Sequence, residues 1–161
     1  MSLATKTALA TLLKGDATLK ALLAKDPADG ISPAIWEGAR NQQGQPSQKA
    51  ADAYPSVTVR FPDTNRDPRF RPTQAEGGGQ SPIVDEIVEL DAWSRKSASA
   101  EVEQIADRIE ELLDGQSFVL PGGAGRVHQA EVLVRNGPLP DPKRGGWFIL
   151  LRTRLRIHYG V

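Results

Sequence analysis

Two histidines, His128 and His158, two runs of carboxylates and a row of arginines are the chemically capable groups in this sequence, which has no cysteine. A metal site needs several ligands at recurrent short spacings. Neither histidine has a second ligand-type residue at such a spacing, so each reads as a polar strand residue. Without cysteine, disulfides and thiolate metal sites are excluded. The glycines of PGGAGR (121–126) lack the lysine and Ser/Thr of a phosphate-binding loop, and no strand precedes a GxGxxG pattern, so they read as a turn. Ser94, Ser97 and Ser99 stand in no nucleophile-elbow context. The carboxylates fall in DEIVELD (85–91), one face of a strand, and in EVEQIADRIEELLD (101–114), the wet side of an amphipathic helix. Neither run brings a pair together in an apolar pocket, which acid–base chemistry requires. The reading is a protein that is not an enzyme and uses no cofactor and no metal.

The arginines are more informative. In LLRTRLRIHYGV (150–161), Arg152, Arg154, Arg156 and His158 occupy every second position, between Thr153, Leu155, Ile157 and Tyr159. A strand sends alternate side chains to opposite faces, so this segment has one basic and one apolar face. Asp85, Glu89 and Asp91 share the same period on another strand, together with Ile87 and Trp93. If the two strands are antiparallel neighbours, opposite charges lie across from one another on a shared exposed face. Such pairs contribute roughly 0.2–1 kcal/mol each and mainly select register. They can also form between subunits. The competing reading is a nucleic-acid face, but Lys plus Arg equals Asp plus Glu at 20 each. A protein built to grip bare nucleic acid usually carries a basic excess. Aromatic residues interleaved for base stacking are missing as well.

The elements that position these groups follow from periodicity. Leu3 to Lys14 has leucines at helical spacing and stops at Gly15; Asp16 is placed to cap a second short helix with Leu19, Leu22 and Leu23. Ile31 to Trp36 reads as a short strand, and Tyr54 to Phe61, with Val57 and Val59 alternating against Thr58 and Arg60, as a good one. Strands are also expected at 83–93, 127–134 and 147–159. The best helix runs from Ser99, its expected N-cap, through a stripe of Val102, Ile105, Ala106, Ile109, Leu112 and Leu113 to Gly115. Flexible loops are expected at about 41–53 and 62–82, the second with four prolines and a triple glycine. Loops this long tend to be functional or disordered. The sum is one domain over 1–161, of α+β class, with a mostly antiparallel sheet and helices packed on one face. Trp36 and Trp93 are assigned to core packing, with a role as interface anchors the alternative. No apolar run approaches a membrane span and no signal-peptide pattern opens the chain, so synthesis in the cytoplasm is expected.

The order of these elements resembles the tail-terminator, or tail-completion, proteins of long-tailed bacteriophages and related prophage elements. The resemblance runs through TLKALLAKD, ISPAIWEG, YPSVTVRF, IVELDAWSRKSASAEVEQIADRIEELLDG and the terminal RLRIHY. Its most specific part is the strand, Ala-Trp, helix unit at 87–115. The 62–82 insertion is longer than the family pattern. The resemblance implies a virion structural protein in the neck, forming a homohexameric ring on the last ring of the tail tube. Such a ring stops tube polymerisation and meets the head connector, while double-stranded DNA passes through its lumen without sequence-specific binding. No membrane is involved. On this reading Arg66, Arg69, Phe70 and Arg71 are tube- or lumen-facing contacts, and Asp85, Glu89, Asp91, Arg152, Arg154 and Arg156 form inter-strand or inter-subunit pairs. A head-completion or connector protein of similar topology is the alternative, and a nucleic-acid-binding module a third.

Overall fold

A computed structural model describes residues 2–38, 53–62, 83–142 and 145–160. Most of both expected loops, with Arg66, Arg69, Phe70 and Arg71, lies outside the described residues. The elements in chain order are α1 (Leu3–Gly15), α2 (Ala17–Leu22), β1 (Ile35–Glu37), β2 (Ser56–Arg60), β3 (Ile83–Ser94), α3 (Ala100–Leu113), β4 (Phe118–Leu120), β5 (Gly125–Pro140) and β6 (Trp147–Tyr159). The strands form one sheet in the order β1-β2-β3-β6-β5-β4. Only β1 and β2 run parallel; the other neighbours are antiparallel. The class is therefore α+β.

Local chemistry sets the helix boundaries. Ser2 Oγ accepts from the Thr5 amide at 3.1 Å and opens α1. Asp16 follows Gly15, and its Oδ1 accepts from the Leu19 amide at 2.7 Å, opening α2. Each bond satisfies an amide that lacks an intrahelical partner. In α3, Val102, Ile105, Ala106, Ile109 and Leu113 are all buried. They belong to one core with Val88, Leu90 and Ala92 of β3 and Ile149, Leu151, Leu155 and Ile157 of β6. Burying each large side chain is worth about 1.5–3 kcal/mol, so Ile105→Ala alone is expected to cost about 2–5 kcal/mol through lost burial and a residual cavity. Helix α1 packs against both outermost strands, β1 and β4. The sheet therefore curls around it, and its two short edges end against a helix instead of lying open.

Four expectations need correction. Ser99 makes no side-chain cap bond, because its backbone (φ −73°, ψ −13°) is already helical. An N-cap oxygen reaches the amides ahead only from extended backbone. The strand expected at Ile31 to Trp36 is confined to Ile35–Glu37; Asp29 folds the chain before it, accepting from the Ile31 and Ser32 amides at 2.9 Å each. Residues 118–120 form β4 next to the expected turn, which contains a short 3-10 segment at Pro121–Gly123. Finally, β5 continues through NGPLP to Pro140. Beyond Val127 no described strand pairs with its outer side, so Pro138 and Pro140 leave no ladder donor missing there.

Candidate functional site

The face of the sheet opposite the helices carries the charged residues. Register sets them out: Asp85 lies across from Arg156, Ile87 from Arg154, Glu89 from Arg152, Asp91 from Leu150 and Trp93 from Phe148. On the other flank of β3, Arg60 lies across from Glu89 and Thr58 from Asp91.

Side chains follow this lattice. Arg152 Nη2 lies 2.7 Å from Glu89 Oε1 and Arg156 Nε 3.1 Å from Asp85 Oδ1. Arg154, facing the apolar Ile87, turns to β5 and pairs with Glu131. Asp91 has no arginine across from it on β6, and it is met by Arg60 of β2. Arg60 donates from Nε and Nη2 to the two Asp91 oxygens at 2.8 Å each, while its Nη1 lies 2.9 Å from Glu89 Oε2. Asp91, Arg60, Glu89 and Arg152 thus form a continuous network across three strands.

The expectation of a shared exposed face holds for only part of this surface. Arg152, Arg154 and Arg156 keep 49%, 34% and 45% of their side-chain surface in water. By contrast the side chains of Arg60, Glu89 and Asp91 retain 9%, 12% and 9%. At that depth the desolvation cost is large, and only the multiple hydrogen bonds offset it. The Asp85 carboxylate beside Arg156 holds that guanidinium above its ordinary pKa, first through the hydrogen bond. Arg60, Arg152, Arg154 and Arg156 each have a carboxylate partner, so these charges neutralise one another, whereas Arg126, across from His158, donates to the Ser117 hydroxyl.

At one end of this face, Trp93 stacks on Phe148 with ring centroids 4.9 Å apart. Both Trp93 and Trp36 are half-buried, and Trp36 Nε1 donates to Asp26 at 3.0 Å. At the other end His128 and His158 approach to 5.7 Å between ring centroids. A register shift between Val127 and Gln129 brings them together. No group of three or more potential metal ligands occurs among the described residues. Nor is any described helix long and apolar enough to cross a membrane.

Two members of the charge system escaped sequence reading. Arg60 was legible as the polar phase of its strand, yet its partner depended on β2 lying beside β3. Glu131 follows the irregularity at His128, which shifts the period of two and hides the face it belongs to.

No protein-family model matches the chain, and no curated protein matches it in sequence. Among solved structures it is similar to a chain from the virion of a native gene transfer agent particle. The TM-score is 0.62 at 18% identity, over 98% of this chain and 95% of that one. A second solved chain aligns at a TM-score of 0.53 and 16% identity, over 98% and 96% of the respective lengths. At these identities the likeness is one of fold, and it extends end to end.

Proposed function

We propose that this chain is a structural protein of a phage-like virion that assembles as a ring, caps the tail tube, stops its polymerisation and joins the tail to the head connector. The observation that carries this reading is the full-length fold likeness to a chain of a gene transfer agent virion. The order of elements reached from the sequence supports the terminator assignment within that class.

The sheet face fits such a role. Pairing Arg152, Arg154 and Arg156 with Glu89, Glu131 and Asp85 removes the net attraction that a bare arginine row would exert on phosphates. A surface along which DNA passes works best without strong binding. Arg66, Arg69, Phe70 and Arg71 are proposed as contacts to the tube or lumen on sequence grounds alone.

Tube assembly in vitro tests the reading. Tube protein polymerised in the presence of the purified chain is expected to give shorter tubes, each with added density at one end. Unchanged tube length and bare ends would contradict it. Preferential attachment to portal or head complexes would instead favour the head-completion or connector alternative. DNA affinity that falls steeply with salt would favour the nucleic-acid module.

A further inference from the structure

Two surfaces, one on β5 and one at the β1–β2 edge of the sheet, complement each other. The first is an apolar pair on the side of β5 that no described element pairs with. Leu133 and Val134 are 40% and 45% exposed, although both are large aliphatic residues. They sit at a register shift between Val132 and Val134, where a bulge turns consecutive side chains outward. The outer side of β5 is occupied by β4 at Gly125–Val127 and then by the exit of α3, through Gly115 and Gln116 to Ala130 and Asp114 to the Val132 amide. From Leu133 onward no described element pairs with it. Around the pair stand Asp107, Glu110, Asp114 and Glu131, which outnumber Arg135, Arg154 and Arg152, the last directly across from Val134.

The second surface is a cleft of about 230 Å³ between α1 and the β1–β2 edge, with Leu9, Ala10, Trp36 and Phe61 among its walls. It is smaller than the roughly 300 Å³ at which small-molecule sites begin, and suits inserted side chains better than a free ligand. Lys6 and Lys14 line it against a single acid, Glu37, which Lys6 holds at 2.5 Å. The remaining charge at the rim is therefore positive, opposite in sign to the fringe around Leu133 and Val134.

We infer that Leu133 and Val134 of one copy seat in the α1–β1 cleft of the next copy, with the acids flanking β5 facing Lys14. The inference rests on the assembly reading above and names the surfaces through which it occurs. Because the two patches differ, the contact is heterologous, and successive copies close into a ring when the rotation allows. It also covers the side of β5 that no described element pairs with, which otherwise invites uncontrolled strand pairing.

The absence of cysteine makes the test direct. Ala10→Cys and Val134→Cys are prepared separately in the full chain and oxidised alone and mixed. The contact predicts disulfide-linked dimers in the mixture and none in either variant alone, and a ladder of higher species when both substitutions share one chain. Oligomers that form without the 10–134 link, or that link 134 to 134, overturn this contact while leaving the capping reading intact. A chain that stays monomeric and never attaches to tubes overturns both. As a second measurement, Leu133→Asp with Val134→Asp is expected to abolish assembly while leaving the thermal unfolding midpoint of the monomer within a few degrees. Assembly that survives this pair of changes refutes the proposal.

Discussion

Arg60 and Asp91 are joined by two parallel hydrogen bonds of 2.8 Å across the β2–β3 ladder, where both side chains are nearly out of water. The pair stands at the inner end of the network that continues through Glu89 to the half-exposed Arg152.

Removing one partner strands a charge in a dehydrated site. Arg60→Met or Asp91→Leu is expected to cost about 3–5 kcal/mol, whereas the two combined cost distinctly less than the sum. Urea denaturation of the two single variants and the double variant checks this. Equal and additive losses would show that the pair contributes nothing beyond its separate residues.

The outer row should behave differently. Arg156→Ala removes a pair that water already screens, so it is expected to lower stability by no more than about 1 kcal/mol, and by less in high salt. Denaturation at low and high ionic strength measures both. The contrast with Arg60 separates buried from exposed members of one face.

Acid stability follows from two aspartates. The Arg108 guanidinium, 2.7 Å from Asp16, holds that carboxyl below its ordinary 3.8, chiefly through the hydrogen bond. The Ser32 hydroxyl, with the Ile31 and Ser32 amides, brings Asp29 down to about 2. A depressed carboxylate stabilises the fold fully above its unfolded pKa, and that contribution is lost as pH falls through the folded value. The decline therefore lies below about pH 4. Asp16→Asn is expected to flatten the stability profile in that window, and Ser32→Ala to raise the Asp29 pKa back toward 3.8 in an NMR titration.

Glycine is required where the last hairpin passes the end of β3. At Gly146 (φ 90°) an added Cβ would lie 2.1 Å from the Ser94 carbonyl oxygen, whereas at Gly15 nothing lies within 4 Å. Gly146→Ala is expected to cost at least about 1–3 kcal/mol. Gly15→Ala, at the end of α1, should fall within about 1 kcal/mol of the parent or gain slightly. Thermal denaturation of the two variants side by side gives the comparison.

The extent to which the fold could be read in advance depends on how regular each period is. Val57 and Val59, the 83–93 alternation, the 152–158 row and the α3 stripe from Val102 to Leu113 announce their elements, because a single face repeats without interruption. Strand β4 has three residues, too few to show any period. Strand β5 contains three register shifts, so its alternation breaks near His128, Leu133 and Gly137 and its true length is hidden. Burial of Arg60, Glu89 and Asp91 was equally illegible, since polar side chains on the non-helical face are ordinarily solvated. The pairing of Asp91 with Arg60 required knowing which strand lies on the far side of β3, which is a property of topology and not of any local pattern.

Copies of this chain are proposed to close into a ring on the end of a tail tube. Negative-stain electron microscopy of tubes incubated with the purified full-length chain tests it most directly. A ring-shaped cap is expected at one end of each tube and none along its length. A chain that remains monomeric in solution, with tube ends indistinguishable from untreated ones, would contradict it.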